Sequence, residues 1–374
     1  MDSVWKLPNG GHIKENSMKN TPKIVLTGGP SGGKSHALKM LKTKLEACGV
    51  KVFIVTEAAT GLIKDGYSAD ASGFNFQLAI ARYQLEKELE AQKTAPKENA
   101  VIICDRGLMD SRVYLNDDDF SRFKNVLGMS EVDLRDCYDA VFHLDSTAVD
   151  KNTAYKNNEV RDESRSEAKN INERSLLAWC GNPHYRVIPV CDSVEEKLDI
   201  LLKEVKAFLG IPKPLEIERK FLIEYPDTDY LMSLVCSKSE IEQSYMIGEE
   251  GKFRLRKRGE NGSYIYIKTV KNKISDTTRE EFETRLTEDE YNELIKNNVC
   301  TGSIKKDRYC LMYNGTYYEI DIFPFWKKQA YIEVELLSED DKVILPDFIK
   351  VIREVTYDSR YKNSSLCRSI PDED

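Results

Sequence analysis

Two domains of different class are predicted for this 374-residue chain: an α/β domain on a doubly wound, mostly parallel sheet, then an antiparallel β domain of the α+β class. Up to Leu209, apolar strand-like runs alternate with amphipathic helical runs, the pattern of βαβ units. Beyond Pro214, apolar and charged residues alternate with period two, and Glu260-Asn261-Gly262 and Asn314-Gly315 supply hairpin turns. Between them, Gly210-Ile211-Pro212-Lys213-Pro214 ends a helix and stiffens a short connector. The expected division is a tail over 1–20, an α/β domain over 21–212 and a β domain over 213–374. With 41% hydrophobic residues there is enough apolar material for two cores.

The first apolar run, Lys23–Thr27, leads into Gly28-Gly29-Pro30-Ser31-Gly32-Gly33-Lys34-Ser35, and a helical run starts at His36. This is Gly-x-x-x-x-Gly-Lys-Ser between a strand and a helix. Gly28, Gly29, Ser31, Gly32 and Gly33 let backbone amides wrap a phosphate, Lys34 reaches the β- and γ-phosphates, and Ser35 ligates magnesium. Glu57-Ala58-Ala59 follows the second strand-like run. Ala100–Gly107 is another, ending in Asp105-Arg106; Asp105 either holds the magnesium shell, accepts a proton from an acceptor hydroxyl, or caps the following turn. After Val141–Asp145 comes a polar stretch, Ser146–Asn172, in which Arg161 and Arg165 lie one helical turn apart.

Over Thr21–Leu209 the chain resembles the P-loop kinase/ATPase family that includes the ribosylnicotinamide kinases, through the phosphate loop, Glu57-Ala58-Ala59, Phe76-Gln77 and Asp105-Arg106-Gly107 with Asp110. The resemblance implies ATP as substrate, Glu57 facing the phosphoryl acceptor, and a lid at Ser146–Asn172 bringing Arg161 and Arg165 over the transferring phosphate. Lys34, Glu57, Asp105, Arg161 and Arg165 are thus the candidate catalytic residues of this half.

In the second half, Glu216, Glu218 and Lys220 share one face of a strand, with Ile217, Arg219 and Phe221 on the other. Six further runs follow the same pattern. Their charged positions are Lys252, Arg254, Arg256 and Arg258; Tyr264, Tyr266 and Lys268; Arg279, Glu281, Glu283 and Arg285; Lys306 and Arg308; Tyr317, Glu319 and Asp321; Tyr331, Glu333 and Glu335. An ordinary sheet with charges in water produces such alternation too. Here basic clusters and paired acids alternate between runs, so a sheet closing with that face inward would hold a polyphosphate by its cations and a divalent metal by its carboxylates.

Glu216-x-Glu218-x-Lys220, then Arg254-x-Arg256, a lysine-bearing run and Glu333-x-Glu335, resembles the CYTH or triphosphate tunnel metalloenzyme family over about Pro214–Leu366. The resemblance implies a closed antiparallel barrel. In it Lys220, Arg254, Arg256, Lys268 and Arg308 bind phosphate oxygens, Lys306 joins the wall, and Glu216, Glu218, Glu333 and Glu335 bind Mg2+ or Mn2+. The pairing of halves resembles plant-type fusions of a nucleotide-kinase-like P-loop domain with a CYTH domain. The expected function is a kinase-like ATP-binding module joined to a metal-dependent phosphohydrolase for tripolyphosphate, a nucleoside triphosphate or a related anion. The alternatives are adenylyl cyclisation, RNA 5′-triphosphatase activity, and nucleotide sensing without turnover.

The net charge of -8 and a pI near 5.4 speak against broad nucleic-acid binding, leaving only an RNA 5′ end able to enter the tunnel. No run of about 20 apolar residues spans a bilayer, and the nine scattered cysteines lack metal-site spacing, so a cytoplasmic protein with reduced thiols is expected. The four histidines are too dispersed for a histidine-based metal site.

Overall fold

The structure is a computed structural model. It describes residues 21–373 apart from 65, 68–72, 97, 150–163, 213–216, 250, 274–278 and 339, and gives the backbone alone at 271–273 and 279–282.

The first half carries a five-stranded parallel sheet in the order β2-β3-β1-β4-β5. Its strands are β1 (Lys23–Thr27), β2 (Lys51–Val55), β3 (Ala100–Asp105), β4 (Ala140–Leu144) and β5 (Tyr185–Ile188). Helices α1 (Lys34–Glu46), α2 (Ala58–Lys64), α3 (Phe74–Thr94), α4 (Asp117–Leu127), α5 (Glu131–Asp136), α6 (Arg165–Trp179) and α7 (Val194–Phe208) connect them. Ala37, Leu38, Leu41 and Leu45 recur at helical spacing on α1 and are buried, which seats that helix in a core with Leu26 of β1, Ile103 of β3 and Phe142 of β4. Because β1 lies between β3 and β4, the loop after β1 opens where the strand order reverses, the usual ligand crevice of such sheets.

The second half is a nine-stranded sheet ordered β10-β9-β8-β7-β11-β12-β13-β6-β14. The strands are β6 (Ile217–Glu224), β7 (Cys236–Gly248), β8 (Gly251–Glu260), β9 (Ser263–Lys273), β10 (Arg279–Leu286), β11 (Val299–Tyr313), β12 (Thr316–Ile322), β13 (Gln329–Leu336) and β14 (Val351–Glu354), with α8 (Thr228–Met232), α9 (Glu288–Asn297) and α10 (Asn363–Leu366) beside them. Its neighbours pair antiparallel. Asn261-Gly262 and Asn314-Gly315 turn their hairpins with positive φ at both positions, as a two-residue turn matching strand twist requires. β10 and β14 are the sheet edges, so the closed ring implied by the resemblance is not seen among the described residues.

Seven charged runs were expected, and β7 and β14 add to them. β7 escapes a search for charge because its positions on the charged face are Ser239, Ile241, Gln243 and Tyr245, yet it joins β8 to β11 at the sheet centre. On the opposite face, Tyr309, Leu311, Ile320, Ile332 and Val334 form an apolar core with Leu231 of α8. One region of the charged face is itself apolar: Leu222, Ile304, Phe323 and Tyr331 pack with Trp326 from the β12–β13 connection and with Tyr361 and Leu366 from the C-terminal segment. Another meets the first half, where Cys310, Met312 and Tyr317 share a core with Trp179 and Tyr185.

Candidate active sites

The phosphate loop lies between β1 and α1. Gly28 has φ +127°, and a Cβ there would sit 2.2 Å from the Leu144 carbonyl oxygen; at Gly32 the same oxygen would be 2.6 Å away. These positions need glycine because the end of β4 runs against the loop. The Lys34 ammonium donates to the carbonyls of Gly28 and Gly29, at 3.1 and 3.2 Å, so it lies across the loop's concave side. Gly29, Ser31 and Gly33 complete the turn, and Ser35 is exposed in the first turn of α1.

Asp105 ends β3 beside this loop, and its Oδ1 is buried without a hydrogen-bond partner among the described residues. Burial raises its pKa and the nearby Glu57 and Asp110 add to this, against the pull of Lys34 and Arg106. Glu57 accepts from Arg106 Nε at 3.1 Å, and Arg106 also donates to Asp110 at 3.1 Å. Lys34, Glu57 and Asp105 are therefore brought together. Arg165 heads α6 and donates to the Ala148 carbonyl at 3.3 Å; Arg161 lies outside the described residues.

Asn172 was not anticipated from sequence. Its side-chain oxygen accepts from the amides of Gly29 and Ser146, at 3.2 and 3.0 Å, and its amide donates to Asp145 at 2.9 Å, which ties the loop to α6. A single asparagine within a polar helical run carries no periodic or motif signal.

The second cluster occupies the charged face of the large sheet. In an antiparallel ladder directly opposed residues share a face. The register thus places Lys220 opposite Glu333, Glu333 opposite Glu319, and Asp321 opposite Arg308. Arg308 donates to both oxygens of Asp321 at 2.7 Å, to Glu333 at 2.9 Å, and to Glu319. Lys306 also bonds Asp321, while Lys220 meets Glu333 at 2.6 Å and Glu218 at 3.6 Å. Asp321 and Lys306 are 0% and 2% exposed in their side chains, so this is an enclosed network and not a solvated surface.

Burial lifts the Asp321 carboxyl, but Arg308 and Lys306 more than offset it and hold it below its ordinary value. Burial opposes charge on Lys220, and Glu333 and Glu218 outweigh it, so the ammonium is held protonated. Arg256 differs. Burial and the neighbouring Arg254 both disfavour its charge, and its Nε, like that of Arg254, is buried without a partner among the described residues. Cationic donors thus remain where an anion would satisfy them.

Two expected members stand elsewhere. Lys268 faces away from the cluster: it opposes Leu255, whereas Arg254 and Arg256 oppose Thr269 and Ile267. The assumption that the charged residues of β9 face the cluster fails because α9 packs on that side, covering Tyr266 with Tyr291 and leaving Lys268 over the Phe253 ring at 5.0 Å. Glu335 shares the charged face but bonds Arg186 of β5 in the first half. Glu216 lies outside the described residues, and no group of three His, Cys, Asp or Glu that could hold a metal occurs among the described ones. No helix of the described residues is long and apolar enough to cross a membrane.

Comparison with known proteins matches residues 23–197 to an AAA domain and residues 214–366 to a CYTH domain. An inorganic triphosphatase of Nitrosomonas europaea is 30% identical over 161 residues, 42% of this chain and 99% of that protein. One from Acetivibrio thermocellus is 31% identical over 156 residues, 41% of this chain and 94% of that protein. A crystal structure of an inorganic triphosphatase, 30% identical, covers 42% of this chain and 97% of its own, with a TM-score of 0.31. The chain therefore belongs to the CYTH family through its second half, joined to an N-terminal P-loop domain of the AAA type.

Proposed function

We propose that the second half hydrolyses the terminal phosphoanhydride of tripolyphosphate, a nucleoside triphosphate or a related anion with a divalent metal, and that the first half binds ATP for phosphoryl transfer. The observation that carries the first part is the enclosed row of Lys220, Arg254, Arg256, Lys306 and Arg308 facing Glu319, Asp321 and Glu333, with the partnerless Nε atoms of Arg254 and Arg256 as its open donors. The inorganic triphosphatase relatives support the same class of reaction. On this reading the sheet edges approach each other around the substrate.

Arg254 and Arg256 would bind phosphate oxygens through their partnerless Nε donors, and Lys220, Lys306 and Arg308 would supply positive charge beside them. Asp321 holds Lys306 and Arg308 in place, so their positive charge is oriented before substrate arrives. Glu216, Glu218 and Glu333 offer carboxylate oxygens, the donors a hard divalent cation takes, so the residue types fit Mg2+ or Mn2+. Lys220 and Arg308 already engage Glu333, so substrate oxygens would complete the cation's shell. When bound, the metal would offset charge on the reacting phosphate. In the first half, the partnerless Asp105 Oδ1 next to Lys34 supports a nucleotide-bound magnesium, with Glu57 toward the acceptor.

The test incubates the full chain with Mg2+ or Mn2+ and tripolyphosphate or ATP, measuring orthophosphate and separating the products. Orthophosphate release that Arg308→Ala abolishes and Lys34→Ala leaves intact supports the assignment. Cyclic nucleotide with pyrophosphate would replace hydrolysis by cyclisation, and release that survives Arg308→Ala would overturn the site.

A further inference from the structure

Arg254, Arg256 and Arg258 alternate along β8 and point to one face, each about 7 Å from the next. The third of them is treated differently from the other two. Arg258 donates to Asp136 of α5 at 3.0 Å and to the Gly181 carbonyl, and the two side chains are 3% and 0% exposed. Arg135 fixes Asp136 at 2.9 Å and itself pairs with Glu260 at 3.1 Å. Around this group the first half seals the charged face with neutral contacts. Ile265 packs on Val132, and the Tyr317 hydroxyl donates to the Asn182 carbonyl at 3.1 Å with its ring 5.7 Å from Tyr185.

We propose that the P-loop domain is a length stop for the anion bound by the sheet, and that Asp136 is the residue that sets the length. The inference rests on the phosphohydrolase reading above. A linear polyphosphate lying along the arginine row finds the partnerless Nε atoms of Arg256 and of Arg254, whose Nη2 is already shared between Glu283 and Thr269 at 3.1 Å, whereas Arg258 is buried under the first half with its charge paired to Asp136. Behind Arg258 the first half packs against the sheet through Asp136, the Gly181 carbonyl and Val132. The site therefore takes the end of a short chain and not the interior of a long one. Water oxygen bonds the terminal phosphorus, the bridging P–O bond breaks with its electron pair leaving on the shortened chain, and the water proton passes to solvent.

The test uses the full chain and its Asp136→Asn variant, which keeps the side-chain shape but leaves the Arg258 charge unpaired. With tripolyphosphate and tetrapolyphosphate as probes, the ratio of kcat/KM for the longer to the shorter anion should rise about tenfold in the variant, the worth of one charge-assisted hydrogen bond. A merely structural role would lower both values together, and an unchanged ratio in a folded variant overturns the proposal. Should Asp136→Asn not fold, the unmodified protein decides with long-chain polyphosphate. Orthophosphate as sole small product supports the stop, and mid-chain fragments overturn it. No release from any of these anions overturns the phosphohydrolase reading itself, an outcome distinct from both.

Discussion

Lys220→Met isolates one contact of the charged network. It removes the ammonium 2.6 Å from Glu333 and retains much of the stem, with side chains only 10% and 8% exposed. Truncating one member of a buried pair costs about 3–5 kcal/mol. Glu333 keeps Arg308 at 2.9 Å, so a loss of about 3 kcal/mol at neutral pH is expected, the lower end of that range. The sign with pH follows from Glu333. Burial pushes its carboxyl up, but Lys220 and Arg308 bring the net value below the ordinary 4.5, so its contribution is full above that value and lost as pH falls through the lowered one. Without Lys220 the carboxyl titrates higher. The variant then takes up its proton earlier on acidification, and the gap to the parent protein closes, by up to about 1.4 kcal/mol per pH unit, as pH falls from the variant's raised carboxyl pKa toward the parent's lowered one. Hydrogen exchange of β6 and β13 amides at pH 7 and pH 4 reads this locally, which matters because the chain has more than one core. A loss of equal size at both pH values, or below about 1 kcal/mol at pH 7, would refute the argument.

Other changes test the remaining sites. Lys34→Ala should weaken ATP binding at least about a hundredfold by calorimetry, the loss of a buried charge-assisted contact, with thermal stability little changed. Gly28→Ala should abolish ATP binding and lower the melting temperature, since its Cβ would meet the Leu144 carbonyl oxygen at 2.2 Å. Glu57→Gln should lower the Asp105 pKa by removing a carboxylate that raises it, which carbon NMR titration of the Asp105 carboxyl would show. Chelation of divalent ions should stop phosphate release from tripolyphosphate, and Mg2+ or Mn2+ should restore it; release that persists in chelator would exclude the metal-assisted route.

The phosphate loop was legible in sequence because its chemistry is local: eight consecutive residues form the cradle, and the strand before and helix after them follow from short-range patterns. The charged strands were legible for the same reason, since alternation is set by the pleat alone. Pattern could not say which way each strand faces. On β9 the isoleucines, not Tyr264, Tyr266 and Lys268, lie on the arginine side, because the hairpin at Asn261-Gly262 sets the register with β8 and α9 covers the other side. β7 was missed because its positions on the charged face carry no charge.

Asn172, Arg186, Asp136 and Arg258 belong to another class of information. Each acts through a partner many positions away in sequence: Asn172 on Gly29, Arg186 on Glu335, Asp136 on Arg258. The linear chain determined the two chemistries, phosphate cradle and cationic row, because backbone geometry imposes their spacing over a few residues. Whether the third arginine of that row serves an anion or a neighbouring aspartate was settled by how the two halves dock, since burial and long-range pairing decide which charges remain available.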